Sequence, residues 1–248
     1  MKPLRAIVTG GATNIGLAIT EALLARGGRV AVGQPDPAIA APLVERHGDR
    51  VIALRVDVSD AAQCRAFVDE AAARLGGLDV LVNNAAITGP GSGRTLAEID
   101  FAHLSLLFHV NLGGVVFCSQ AAAPHLRLAG GGVIVNISSI NAFWPQRGSM
   151  IYAATKAAVS SVTKSMAKEL APDSIRVVAV APGDIRIDNS EVLEKEMKER
   201  GVVSDVANRT PLGRGRPTDI SEVVAFLCSE EARFVTGATW TVDGGLMA

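Results

Sequence analysis

Two side chains in the stretch Tyr152-Ala-Ala-Thr-Lys156 have the types and spacing for proton transfer. Four residues apart on a helix, a phenol and an ammonium share a face. A phenol with its ordinary pKa of ~10 is too weak an acid to work as a base at neutral pH. An adjacent ammonium stabilises the phenolate and lowers that value, which makes tyrosine a usable proton carrier. Tyr152 is also the only tyrosine in the chain. Ser139 lies thirteen positions before it and offers a hydroxyl for a substrate oxygen. Asn111, in His109-Val110-Asn111-Leu112, places an amide inside a helical stretch. Asparagine is a poor mid-helix residue, which suggests a structural task such as holding a water or bending the helix. Near the start, Thr9-Gly10-Gly11-Ala12-Thr13-Asn14-Ile15-Gly16 suits a pyrophosphate. Its glycines admit a ligand to the backbone, and the unpaired N–H groups of a following helix attract an anion. Taken singly, each feature has a plainer reading: a tyrosine anchoring a helix start, or an ordinary tight turn.

These residues need elements to position them. Short β-branched runs at 5–9, 29–33, 51–56, 79–83, 133–138, 175–180 and 239–242 read as buried strands. Between them, helical patterns cover 15–26, 61–75, 96–128, 153–171 and 220–228, with a short helix ending near His47. Ser59 or Asp60 is the N-cap candidate for the helix at 61. Seven strands alternating with helices imply right-handed crossovers. The fold expected is a single α/β domain over 1–248, a Rossmann-type doubly wound seven-stranded parallel sheet with helices on both faces. In such sheets ligands sit beyond the carboxyl ends of the strands. The motifs fall there, after strands one, four, five and six.

The 248 residues are 48% hydrophobic, 20% charged and 4% aromatic, with net charge −1. A chain of this length buries ~70% of its unfolded surface and needs neither disulfides nor metals to be stable. The even charge balance without basic clusters argues against a nucleic-acid partner. No apolar run is expected to reach the ~18 residues of a membrane span, and the start lacks the apolar core of a secretory signal. Cys64, Cys118 and Cys228 are odd in number and widely spaced, which fits buried thiols in a reducing cytoplasm. His47, His103, His109 and His125 show no metal-ligand spacing, so no metal is expected.

In this order, Thr9-Gly10…Gly16, Asp57 in VDVSD, Asn83-Asn84-Ala85, Asn111, Ser139, Tyr152…Lys156, Pro182-Gly183 and the ending TGATWTVDGG resemble the short-chain dehydrogenase/reductase family over essentially the whole chain. The resemblance implies hydride transfer with a nicotinamide cofactor. Gly10 and Gly16 would shape the pyrophosphate loop, lined by Ile15. Asp57 and Val58 would meet the adenine, and Asn83 and Ala85 would pack along the ribose and the back of the cofactor. Tyr152 would carry the proton and Lys156 would lower its pKa and bind the nicotinamide ribose. Ser139 would hold the substrate oxygen, and Asn111 would position a relay water. Pro182, Gly183 and Ile185 would border the nicotinamide. The family also implies a homotetramer formed through the long helices and the last strand.

The chain departs from the family's pattern around the cofactor. Asn14 stands for the middle loop glycine, Ala86 for a glycine after strand four, and Ile187 for a threonine after Pro182-Gly183. Gln34 stands where an acidic residue would bind the adenosine ribose, with Asp36 two residues on. No Lys or Arg occurs between positions 30 and 44 to receive a 2′-phosphate, so the expectation leans to NAD over NADP. Ser139, Asn141, Trp144, Tyr152 and Asp184 are the candidate substrate residues, with a lid at about 186–210 over a small alcohol or ketone. Two alternatives stay open: a catalytically idle cofactor-binding sensor or scaffold, and a dehydratase or epimerase using the same residues.

Overall fold

Burial on both faces accounts for strands whose central residues are mostly apolar. The computed structural model describes residues 3–89, 92–187 and 209–248. Its strands are β1 (Arg5–Thr9), β2 (Arg29–Gln34), β3 (Val51–Arg55), β4 (Val80–Asn83), β5 (Gly132–Ile137), β6 (Ile175–Pro182) and β7 (Thr239–Val242). They form one seven-stranded sheet in the order β3-β2-β1-β4-β5-β6-β7, with every neighbouring pair parallel. This is the expected doubly wound α/β fold, with its strand order reversing between β1 and β4.

Successive strand residues point to opposite faces, and each face receives its own helices. Ala6 and Val8 of β1 join Val80 and Val82 of β4 against Ile19, Leu23 and Leu24 of α1 (Asn14–Ala25) and Ile220 and Val224 of α7 (Pro217–Leu227). Ile7 and Leu81 face the other way, onto Phe67 and Val68 of α3 (Ala61–Leu75) and Cys118 and Leu126 of α5 (Gly114–Leu128). Full burial of such a side chain is worth roughly 1.5–3 kcal/mol, which fixes the register of every strand. The short helix α2 (Ala41–His47) follows a 3₁₀ turn at Pro37–Ala40. At α3 the N-cap is Asp60, whose Oδ1 accepts from the N–H groups of Ala62 and Gln63 at 2.8 and 3.1 Å.

The continuous helix expected over 96–128 is interrupted. Asp100 caps a new helix, α4 (Phe101–Phe108), and a π-helical turn, His109–Gly113, joins it to α5. Asn111 lies in that turn. Its Oδ1 accepts from Ile87 N at 2.8 Å, and its Nδ2 donates to Ile87 O at 3.2 Å and Thr155 Oγ1 at 3.3 Å. A side chain that bridges two neighbouring segments favours the extra residue per turn, the usual setting of a π-bulge. The stretch Phe101–Leu128 also corrects the expectation about apolar runs, since its 28 residues are long and apolar enough by composition to cross a membrane. Leucine, alanine, valine and phenylalanine give it that composition, and its inner side packs on α3 and β4. The helix α6 (Met150–Leu170) starts three residues earlier than its periodicity suggests, which places Tyr152 in the first turn. The lid expected at 186–210 lies almost wholly outside the described residues.

Candidate active site

The carboxyl ends of the strands open into one cleft of about 920 Å³, running from Gln34 and Asp57 to Tyr152 and Arg214. Its floor is the turn after β1. Gly10 takes φ +64°, and a Cβ on Gly16 would come within 2.0 Å of Gly10 O, so only glycine fits there. Asn14 replaces a glycine at no cost in geometry, because it adopts φ +48° and asparagine tolerates the left-handed region. Ala86 is outside that region, since Asn14 and Ser174 are the only described non-glycine residues with positive φ. Asn84 ties the turn to the end of β4, its Nδ2 donating to Thr9 O at 3.0 Å and Gly10 O at 3.1 Å. Thr9 Oγ1 accepts from the N–H groups of Asn84 and Ala85. Thr13, the N-cap of α1, makes no side-chain cap bond, which leaves the helix N-terminus open towards the cleft.

At one end of the cleft Gln34 is 6% exposed, and its Nε2 has no hydrogen-bond partner among the described residues. Asp57 and Val58 line the same end, and Asp57 Oδ1 accepts from Ser59 N and Oγ. Asp36 lies outside the lining, because its carboxylate caps the 3₁₀ turn at Ala38 N. Asn83 also lies outside. Its Nδ2 donates to Ser119 Oγ at 3.0 Å and Asn136 Oδ1 at 2.8 Å, on the α5 side of the sheet. Strand alternation explains this placement, for Asn83 points to the face opposite Val82.

The other end gathers Ser139, Tyr152 and Lys156. Tyr152 stands half-buried in the wall, which Ser139 also lines. Lys156 is 3% exposed, donates from Nζ to Ile137 O at 2.8 Å, and sits 5.7 Å from the Tyr152 ring centroid. Ser138 Oγ bonds to Lys156 O and Ser160 Oγ, which fastens α6 to the end of β5. Burial lowers the Lys156 pKa to about 8. The phenol departs from expectation: burial raises its pKa, and the Ser139 hydroxyl only partly opposes that. The ammonium lies under the ring and bonds to a carbonyl, so the charge expected to favour phenolate is spent away from the hydroxyl. Asn111 lines no part of the cleft, and its amide serves the Ile87 backbone and Thr155.

Pro182, Gly183, Ile185 and Ile187 border this end, as do Asn141 and Asp184. Asp184 is paired with Arg214, at 2.9 Å to Nε and 3.0 Å to Nη2. Asn141 Oδ1 accepts from Gln146 N and Ser149 Oγ, so it holds the loop around it. Trp144 lies outside the lining, packed on Ile140 and Leu246 with the Arg209 guanidinium 4.6 Å from its ring centroid. Asn84, Gln146, Arg147, Ser149 and Arg214 also line the cleft. Asn84 stood in plain view within the Asn83-Asn84-Ala85 motif.

The cleft fits a nicotinamide dinucleotide on three counts: an uncapped helix start, a turn too close for any Cβ, and a buried amide donor without a partner. A family model described as enoyl-(acyl carrier protein) reductase matches residues 10–247. Cis-4-hydroxycyclohexanecarboxylate dehydrogenase of Sinomonas cyclohexanicum is 40% identical over 248 residues, covering 98% of this chain and 96% of that protein. The chain belongs to the short-chain dehydrogenase/reductase family. It is therefore an oxidoreductase of CH–OH or oxo groups that uses a nicotinamide cofactor. Among solved structures, 3-ketoacyl-(acyl-carrier-protein) reductase of Brucella melitensis in complex with NADH has a TM-score of 0.88 and 32% identity, covering 100% of this chain and 99% of that one. A 7α-hydroxysteroid dehydrogenase in complex with NADH and 7-oxo glycochenodeoxycholic acid has a TM-score of 0.85 and 31% identity, covering 97% and 92%.

Proposed function

We propose that the protein interconverts a secondary alcohol and a ketone, with Tyr152 as proton donor and acceptor. One arrangement carries the reading: the Tyr152 phenol and the Ser139 hydroxyl line the same cleft wall, with the Lys156 ammonium 5.7 Å from the ring centroid. When bound, the nicotinamide supplies or removes the hydride. Tyr152 and Ser139 hold the substrate oxygen from two sides, which orients the carbon that reacts. In reduction the phenol proton passes to that oxygen, and in oxidation the phenolate takes it back. Burial keeps the phenol protonated, so the resting form is the donor and suits reduction. Asn111 acts at one remove, as a positioning residue that braces Thr155 and the Ile87 backbone.

NAD is placed ahead of NADP. Thr13, Gly33 and Pro35 line the cleft with Gln34 and offer no cation to a dianionic phosphate, and Arg55, paired with Gln34 across the sheet, lies outside the lining, whereas the unpartnered Nε2 can donate to a ribose oxygen. The substrate is a small molecule, as the relative acting on a hydroxycyclohexanecarboxylate suggests. Assembly as a homotetramer is supported by Phe101 and Leu104, left exposed on α4, and light scattering checks it. The function itself is tested by screening alcohol/ketone pairs with both cofactors at the reduced-nicotinamide absorbance band. Turnover that disappears in Tyr152→Phe supports the reading, and turnover that survives there overturns it.

A further inference from the structure

Seven charged side chains line the cleft, and six are already engaged. Asp57 is bonded to Ser59, Glu98 to Thr95 N and Oγ1, and Lys156 to Ile137 O. Arg94 pairs with Asp100 at 2.9 Å, and Arg214 with Asp184. Arg147 alone makes no ion pair or side-chain hydrogen bond among the described residues. Its backbone is nonetheless held on both sides. Gln146 N donates to Asn141 Oδ1 at 3.1 Å and Gly148 O accepts from Arg94 N at 2.9 Å. Asn141 N in turn donates to Ser139 Oγ at 3.1 Å, so the arginine's loop is registered to the hydroxyl that holds the substrate oxygen.

A solvent-facing guanidinium on a braced loop, beside a reacting centre and without a counter-charge, is an anion receptor. Its planar fork matches a carboxylate. One guanidinium balances one negative charge, which favours a carboxylate over a dianionic phosphate. We propose that Arg147 binds a carboxylate on the substrate, making the substrate a hydroxy acid and its oxo acid partner. This rests on the alcohol/ketone reading above and narrows it. The bond is present in ground and transition states alike, so its loss raises KM and leaves kcat nearly unchanged.

The test compares reduction of an oxocyclohexanecarboxylate with that of its uncharged carboxamide by wild type, Arg147→Gln and Arg147→Lys. Wild type is expected to prefer the acid, and Arg147→Gln to raise KM for the acid alone by about 10- to 100-fold. Arg147→Lys should recover part of the loss. Equal use of acid and amide by wild type, or an equal loss for both in Arg147→Gln, overturns the proposal while the alcohol/ketone reading stands. Should neither ketone turn over, that reading loses its support, and calorimetry with unreactive cyclohexanecarboxylate and cyclohexanecarboxamide still decides. Acid-selective binding lost in Arg147→Gln supports the proposal, and its absence sinks it. Inorganic phosphate competing as strongly as the carboxylate would also overturn the assignment.

Discussion

At the amino ends of the strands Arg5 donates to Asp79 through Nε at 2.8 Å and Nη2 at 2.5 Å, and to Gly76 O through Nη1 at 2.5 Å. Asp79 raises the Arg5 pKa, and the pair staples β1 to the start of β4. At the carboxyl ends of the same strands the polar groups are braced from behind but kept available at their tips. Among the described residues Gln34 Nε2 is without a partner and Arg147 without a counter-charge, and Tyr152 lines the cleft beside them. Polar groups that satisfy each other stabilise a fold. Groups whose last bond is left unmade are set aside for a ligand, and the sheet separates the two uses by its length.

The sharpest way to break this division is Tyr152→Phe. Turnover should fall by about 10³-fold or more, the scale of a lost acid/base group, while reduced-nicotinamide fluorescence on binding stays the same. Activity within tenfold of wild type would show that the carboxyl end does not work as described. Asp79→Ala probes the opposite end. It leaves a largely buried guanidinium without its carboxylate and should lower unfolding free energy by about 3 kcal/mol in urea, with kcat per folded molecule unchanged. A loss of kcat without a loss of stability would reverse the contrast. Gln34→Asp trades a donor for a carboxylate that accepts from ribose hydroxyls and repels phosphate, so the NADH-to-NADPH ratio of kcat/KM should rise about tenfold. An unchanged ratio would remove Gln34 from cofactor choice.

The smallest expected effect is with pH. Burial brings the Lys156 pKa down to about 8, so its charge is present below that pH and is lost as pH rises through it. The raised phenol is still protonated there. Reductive kcat/KM should therefore decline a few-fold above about pH 8, and a profile flat to pH 10 would show that the ammonium is not used.

Strands and helices were legible because burial on two faces writes itself as apolar runs, and because Asp60 and the turn glycines have local causes. Tyr152, Lys156 and Ser139 were legible as an ordered set. What failed needed three dimensions. Asn83 and Ala85 are near neighbours in sequence, yet only Ala85 reaches the cleft, since strand alternation sends the asparagine to Ser119 and Asn136. The π-turn depends on Ile87 and Thr155, which are 24 and 44 positions from Asn111. The direction of the phenol's shift depends on where Lys156 points its ammonium, and a four-residue spacing says only that the two share a face. Arg147 stands apart from the other charges of the cleft only once its neighbours' charges are paired off.

Since the Tyr152 phenol is the only one in the chain, the protein carries its own indicator dye. Tyrosinate absorbs at longer ultraviolet wavelength than tyrosine, and no second phenol adds to that signal. Ionisation at this one oxygen can be followed directly in the unlabelled enzyme, at rest, with cofactor, and with an inhibitor in place. Each component's pull on the proton then registers as a displacement of a single titration curve.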